Sequence, residues 1–290
     1  MKSFLKFILI FSCILLLSAA LAPVLYKLMP FKFEKVFNRL VMIFSLLAVL
    51  FFVRFRRESF QSFGLAWERD SLAMAMKAFA TGLFILVLLS ATSIALGNAH
   101  WHPTKGWGWH WLWRIPKFLN AGILIGIIEE FFFRGFIFRS FKEKFSWPLF
   151  PSLIVTNVFY ALIHFVSDYS PFIGPDPTFQ DSFKLMAAPF QSLANWRGIG
   201  PHAFGLFLFG LVLNDQVLRT RSLYPAIGLH AACVFFIKLD GFFVDYTSHG
   251  LLFGTNTLID GALGWSFLIL LGIVLRLVIK APVPHQPVRT

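Results

Sequence analysis

The sequence predicts an all-α fold, a polytopic membrane bundle of about eight transmembrane helices. Hydrophobic residues make up 57% of the 290 positions and charged residues only 14%, and the mean hydropathy is +0.71. Soluble domains carry about 25% charged residues. The apolar residues also gather in runs long enough to cross about 30 Å of hydrocarbon as helix.

The first span, residues 4–22, has Lys2 and Lys6 before its apolar run and ends at Ala19-Ala20-Leu21-Ala22 before Pro23. No other small-x-small cleavage signature stands out, so an uncleaved helix is expected. Runs at 37–53 and 72–96 give the second and third spans. The loop from Gly97 to Lys117 holds Trp101, Trp107, Trp109, Trp111 and Trp113, an interfacial belt in which indoles sit at headgroup level. His100, His102 and His110 share that loop, but His102 and His110 are spaced for no familiar metal-ligand pair.

Residues 118–138 and 148–166 supply the fourth and fifth spans. The connection from Ser167 to Gly200 is broken by Pro171, Pro175, Pro177 and Pro189 and reads as a lid-like loop, with a short surface helix at Phe183–Ala188. Runs at 202–218, 222–239 and 262–279 complete the count. Residues 1–281 thus form one transmembrane domain, followed at 282–290 by a proline-rich tail expected to be disordered.

A net charge of +12 would suggest nucleic acid in a soluble protein. Here the Lys and Arg residues sit in short loops such as Arg54–Arg57 and Arg139–Lys144, so anionic membrane lipids are the simpler partner and nucleic acid is not expected. Cys13 and Cys233 each fall within a helical run, which offers neither a disulfide framework nor a thiolate metal cluster.

Glu129, Glu130 and Arg134 lie inside the apolar fourth span. A charge at bilayer depth costs at least about 2.5 to 3.5 kcal/mol, so three within six residues need partners or a wet cavity. On a helix Glu130 and Arg134, four apart, can pair, whereas Glu129 points about 100° away and lacks an intrahelical counter-ion. Such a carboxylate suits taking and returning a proton. A cluster that merely locks two helices is the competing reading, but one Glu and one Arg would serve it, and a second glutamate only adds desolvation cost.

Two histidines join this set. Asn157, Tyr160 and His164 recur at spacings of three and four and form a polar stripe on the fifth span. His230 lies mid-span among the small residues Gly228, Ala231 and Ala232, which permit close helix approach.

Glu129-Glu130-x-x-x-Arg134, Tyr160-x-x-x-His164 and His230 resemble the three motifs of the CPBP family of CAAX proteases and bacteriocin-processing enzymes, in the order EExxxR, FxxxH and HxxxN. The likeness covers about residues 120–238. It implies an eight-helix glutamic intramembrane endopeptidase, multi-pass in a bacterial cytoplasmic membrane, acting on a membrane-associated protein or peptide. Glu129 with His164 would activate a water, His230 would stabilise the oxyanion, and Glu130 and Arg134 would order the site. No cofactor is implied.

Two positions depart from the family pattern. Tyr160 replaces Phe, and Val234 stands where Asn or Asp is usual. Valine cannot donate a hydrogen bond, so Asn157 is expected to supply a substitute amide. Two other readings follow. Glu129, His164 and His230 could hold zinc, as one carboxylate and two imidazoles form an acceptable catalytic set. Alternatively, the chain is an inactive relative that acts as a membrane scaffold or regulator, which Val234 favours.

Overall fold

A computed structural model describes residues 2–29, 31–55, 57, 59–102, 112–167, 171–194, 196–247, 250–254 and 258–280. The tail at 282–290 and the centre of the tryptophan-rich loop, with Trp107, Trp109, Trp111 and His110, lie outside the described residues. The helices are α1 (Lys2–Tyr26), α2 (Phe33–Phe55), α3 (Ser71–Ala95), α4 (Arg114–Glu130), α5 (Leu149–Ile163), α6 (Phe179–Ala194), α7 (Trp196–Thr220), α8 (Tyr224–Asp240) and α9 (Ala262–Val278). Two three-residue strands, β1 (Ala99–Trp101) and β2 (Val244–Tyr246), are the sheet content of the described residues.

The protein is therefore an all-α integral membrane protein. Among the described residues four helices are long and apolar enough to span: Ile8–Tyr26, Phe33–Phe55, Ser71–Ala95 and Trp196–Thr220. Leu149–Ile163 and Ala262–Val278 are shorter apolar helices, so the expected count of eight is not confirmed. The chain divides into two compact units, residues 1–59 with 136–207 and residues 60–135 with 208–290.

In the first unit α1 packs on α2 through Ala19, Ala22, Phe33, Val36, Phe37 and Leu40. Helix α6 joins this core through Leu185, and the Ser182 hydroxyl donates to the Ala19 carbonyl at 3.0 Å. The connection at residues 171–194 thus carries more helix than expected. A sixteen-residue helix replaces the short one foreseen at Phe183–Ala188. Its start is set by Thr178, whose N–H and hydroxyl both donate to the Asp181 carboxylate at 2.8 and 2.9 Å, which satisfies donors left open at a helix N-terminus. Ser182, Leu185 and Ala188, spaced by three, form the buried face. Helix α6 also packs on the short turn His164–Ser167 that ends α5.

In the second unit α8 is the central helix, packed against both α3 and α4. Glycines set these contacts. A Cβ at Gly122 would lie 2.6 Å from the Ala231 carbonyl, and one at Gly126 would lie 3.0 Å from that of Ile227. Gly122 and Gly126 therefore bring the α4 backbone directly onto α8, the small-xxx-small packing of helices in lipid. Strand β1 pairs antiparallel with β2, with Ala99 opposite Tyr246. Asp240 ties the strand pair to two helices, accepting from Ser90 Oγ and from Tyr246 OH, each at 2.7 Å. Burial, with the adjacent Asp240 charge, pushes the Tyr246 phenol well above its usual range.

Candidate active site

The glycine spacing of α4 continues into the charged residues: Gly122, Gly126, Glu130 and Arg134 follow one another every four positions. The face that touches α8 through glycine therefore presents Glu130 one turn further on. Beyond Glu130 the helix widens into a π-helical stretch, Phe131–Phe138. Such widening is rare and often found at functional sites.

Glu130 and Arg134 are fully buried and bonded, Nη1 to Oε1 at 3.0 Å. His230 Nδ1 reaches the same Oε1 at 2.7 Å. An ion-paired carboxylate only accepts hydrogen bonds, so Nδ1 carries the proton and donates. The ring orientation then directs Nε2 at Glu129, whose Oε2 is 3.7 Å away. Glu129 is 30% exposed where Glu130 is wholly buried, so of two neighbouring carboxylates only one meets the surroundings. Phe209 of α7 lies edge-on to His230 with ring centres 5.9 Å apart.

Helix α7 supplies a residue that sequence reasoning missed. Arg134 Nε donates to Asn214 Oδ1 and Nη2 to the Gly210 carbonyl, both at 3.3 Å. Asn214 is fully buried. Its signal was the polar triplet Asn214-Asp215-Gln216 inside an apolar run, since polar groups in a span are expensive unless they have partners.

The other expected site residues belong to the first unit. His164 ends α5, and its Nδ1 lies 2.7 Å from the Tyr160 carbonyl. Its ring meets the Tyr160 ring edge-on with centres 4.7 Å apart, so the Tyr160–His164 spacing of four does produce a contact. Asn157 is buried and its amide donates to the Leu153 carbonyl at 2.9 Å. The structure thus brings together Glu129, Glu130, Arg134 and His230 in one unit, and Asn157, Tyr160 and His164 on one helix and its terminal turn in the other.

Among the described residues no group of three or more His, Cys, Asp or Glu side chains is placed to hold a metal ion. His102 instead contacts Asp245, with Nε2 3.1 Å from Oδ2.

Residues 109–236 match the family model described as Rce1-like, type II CAAX prenyl endopeptidase Rce1-like. That stretch contains all three motifs and agrees with the CPBP and CAAX protease resemblance read from them. No curated protein and no solved structure matches the chain.

Proposed function

We propose that this protein is a CAAX-type intramembrane endopeptidase that hydrolyses a peptide bond in a membrane-associated protein or peptide, in a bacterial cytoplasmic membrane and without a metal. The observation that carries this reading is the approach of the part-exposed Glu129 to His230, with His230 fixed from behind by the buried Glu130–Arg134 pair. A pair that only locked helices would not need the second carboxylate.

Glu129 takes a proton from a water, and the resulting hydroxide attacks the peptide carbonyl carbon. The oxyanion that forms accepts a hydrogen bond from His230 Nε2–H, and Glu129 returns the proton to the leaving nitrogen. Because Nδ1 already donates to Glu130, His230 acts here with both ring nitrogens protonated. The shared role of His164 with Glu129 comes from the motif resemblance. Tyr160 orients His164 by ring contact, and Asn157 supplies the amide support that Val234 does not.

Glu129→Gln tests the reading, because it keeps the shape and removes the base. It should abolish cleavage by the purified protein in proteoliposomes while chelators leave the wild type unaffected. Chelator inhibition restored by zinc would turn the assignment to metal hydrolysis, and activity in Glu129→Gln would remove the carboxylate from the chemistry.

A further inference from the structure

A groove between α7 and α9 in the second unit is lined by Leu208, Leu211 and Val212 on one side and Leu268, Ile269 and Ile273 on the other, with a volume of about 270 Å³. Its remaining lining changes character, because Asp215 and Arg276 stand at the C-terminal ends of the two helices. Gly272 forms part of the wall, where a Cβ would meet the Val212 side chain at 3.4 Å. At 100° per residue these α7 positions lie roughly 130° around the helix from Gly210 and Asn214, so the groove is separate from the face that holds Arg134.

We infer that the groove binds one anionic glycerophospholipid, an acyl chain between α7 and α9 and the phosphate at Arg276. Three features carry this. Leu208 to Asp215 spans about 10 Å of helix axis at 1.5 Å per residue, short enough to fit within the roughly 15 Å depth of one leaflet with the polar end turned to the headgroups. Arg276 is held by Asp215 through Nε at 3.0 Å and Nη2 at 2.7 Å. Those bonds use two of its five N–H groups, and its side chain is 63% exposed. Arg219 joins the same end, donating to the Arg276 and Ile279 carbonyls at 3.2 and 3.1 Å, and Lys280 follows. These cations outnumber Asp215 and complement a phosphate. A peptide fits the groove poorly, since its apolar stretch would leave backbone amides unsatisfied in lipid.

The full-length protein, purified in detergent and offered phosphatidylglycerol or phosphatidylcholine, is read by native mass spectrometry. Phosphatidylglycerol should be retained in preference, near one per chain. Arg276→Gln should lower that preference by about fivefold, the effect of one basic residue at an anionic surface. Gly272→Leu, which fills the groove, should reduce retention of both lipids. Equal retention of the two lipids by the wild type, or an unchanged preference in Arg276→Gln, overturns the inference. So does undiminished retention in a folded Gly272→Leu. The Arg276 side chain is mostly exposed, so its variant decides the matter even if the glycine variant does not fold.

Discussion

His230 Nδ1 and Glu130 Oε1 stand 2.7 Å apart, and the same oxygen receives Arg134 Nη1 at 3.0 Å. One buried carboxylate atom thus serves an arginine of its own helix and a histidine of another. Removing this acceptor takes a bond from both partners at once, whereas removing Glu129 leaves both of these bonds in place.

Glu130→Ala should therefore destabilise the protein by about 3 to 5 kcal/mol, the cost of leaving one member of a buried ion pair alone. Glu129→Gln, at a part-exposed site, should change stability little while abolishing cleavage. Thermal unfolding in detergent, run beside the cleavage assay, separates the two. Equal melting temperatures for both variants would contradict the division between a structural and a reacting glutamate.

Helix approach offers a second test that touches no charged residue. Gly122→Val places its Cβ 2.6 Å from the Ala231 carbonyl, and the Cβ of Gly126→Ala meets that of Ile227 at 3.0 Å. Overpacking costs about 1 to 3 kcal/mol, with Gly122→Val expected at the upper end. Both should lower cleavage by moving Glu130 off His230, and wild-type rates in Gly122→Val would show that the contact does not depend on this packing.

Asn214→Leu removes the acceptor of Arg134 Nε. Hydrogen bonds to charged groups contribute about 1.5 to 3 kcal/mol, and a loss of that size in unfolding free energy is expected. A neutral result would mean that Gly210 and Glu130 hold the guanidinium by themselves.

Val234→Asn restores the amide usual at this position in the resembled family. An added oxyanion donor can be worth up to about 2.7 to 4 kcal/mol, so cleavage should rise by as much as about 100- to 1,000-fold. Asn157→Ala should lower the wild-type rate and have less effect when combined with Val234→Asn. No gain from the first change and no loss from the second would remove amide support from the mechanism.

At the start of α6, the Lys184 ammonium and the Thr178 N–H and hydroxyl hold the Asp181 carboxyl down at about 2, against an ordinary value of 3.8. A lowered carboxylate contributes stability above its ordinary value and loses it as the pH falls toward the lowered one. Protection of the amides at residues 179–185, the slowing of their exchange relative to that of an unstructured chain at the same pH, should therefore fall between about pH 4 and pH 2. Asp181→Asn should show the lower protection already at neutral pH.

Much of the charged centre was legible because its spacing is local. The four-residue steps from Glu130 to Arg134 and from Tyr160 to His164 each become a contact. The pairing of His230 with Glu130 was harder to read. It depends on which turns of α4 and α8 meet, and the small residues fix that register only when both helices are in view. Asn214 escaped because nothing local marks it as the partner of an arginine 80 positions away. Helix α6 was read too short, since prolines suggested a broken loop while the Thr178–Asp181 bonds set its start. The β1–β2 pairing joins segments distant in sequence and too short to show alternation.

The central claim is that Glu129 is the proton-transferring base of a peptidase. Its most direct measurement is a comparison of membrane-protein fragments in cells making the wild type or Glu129→Gln at equal levels. The account predicts fragments that appear with the wild type and vanish with the variant. The same fragments from both, or none from either, would contradict it, the latter pointing to a scaffold.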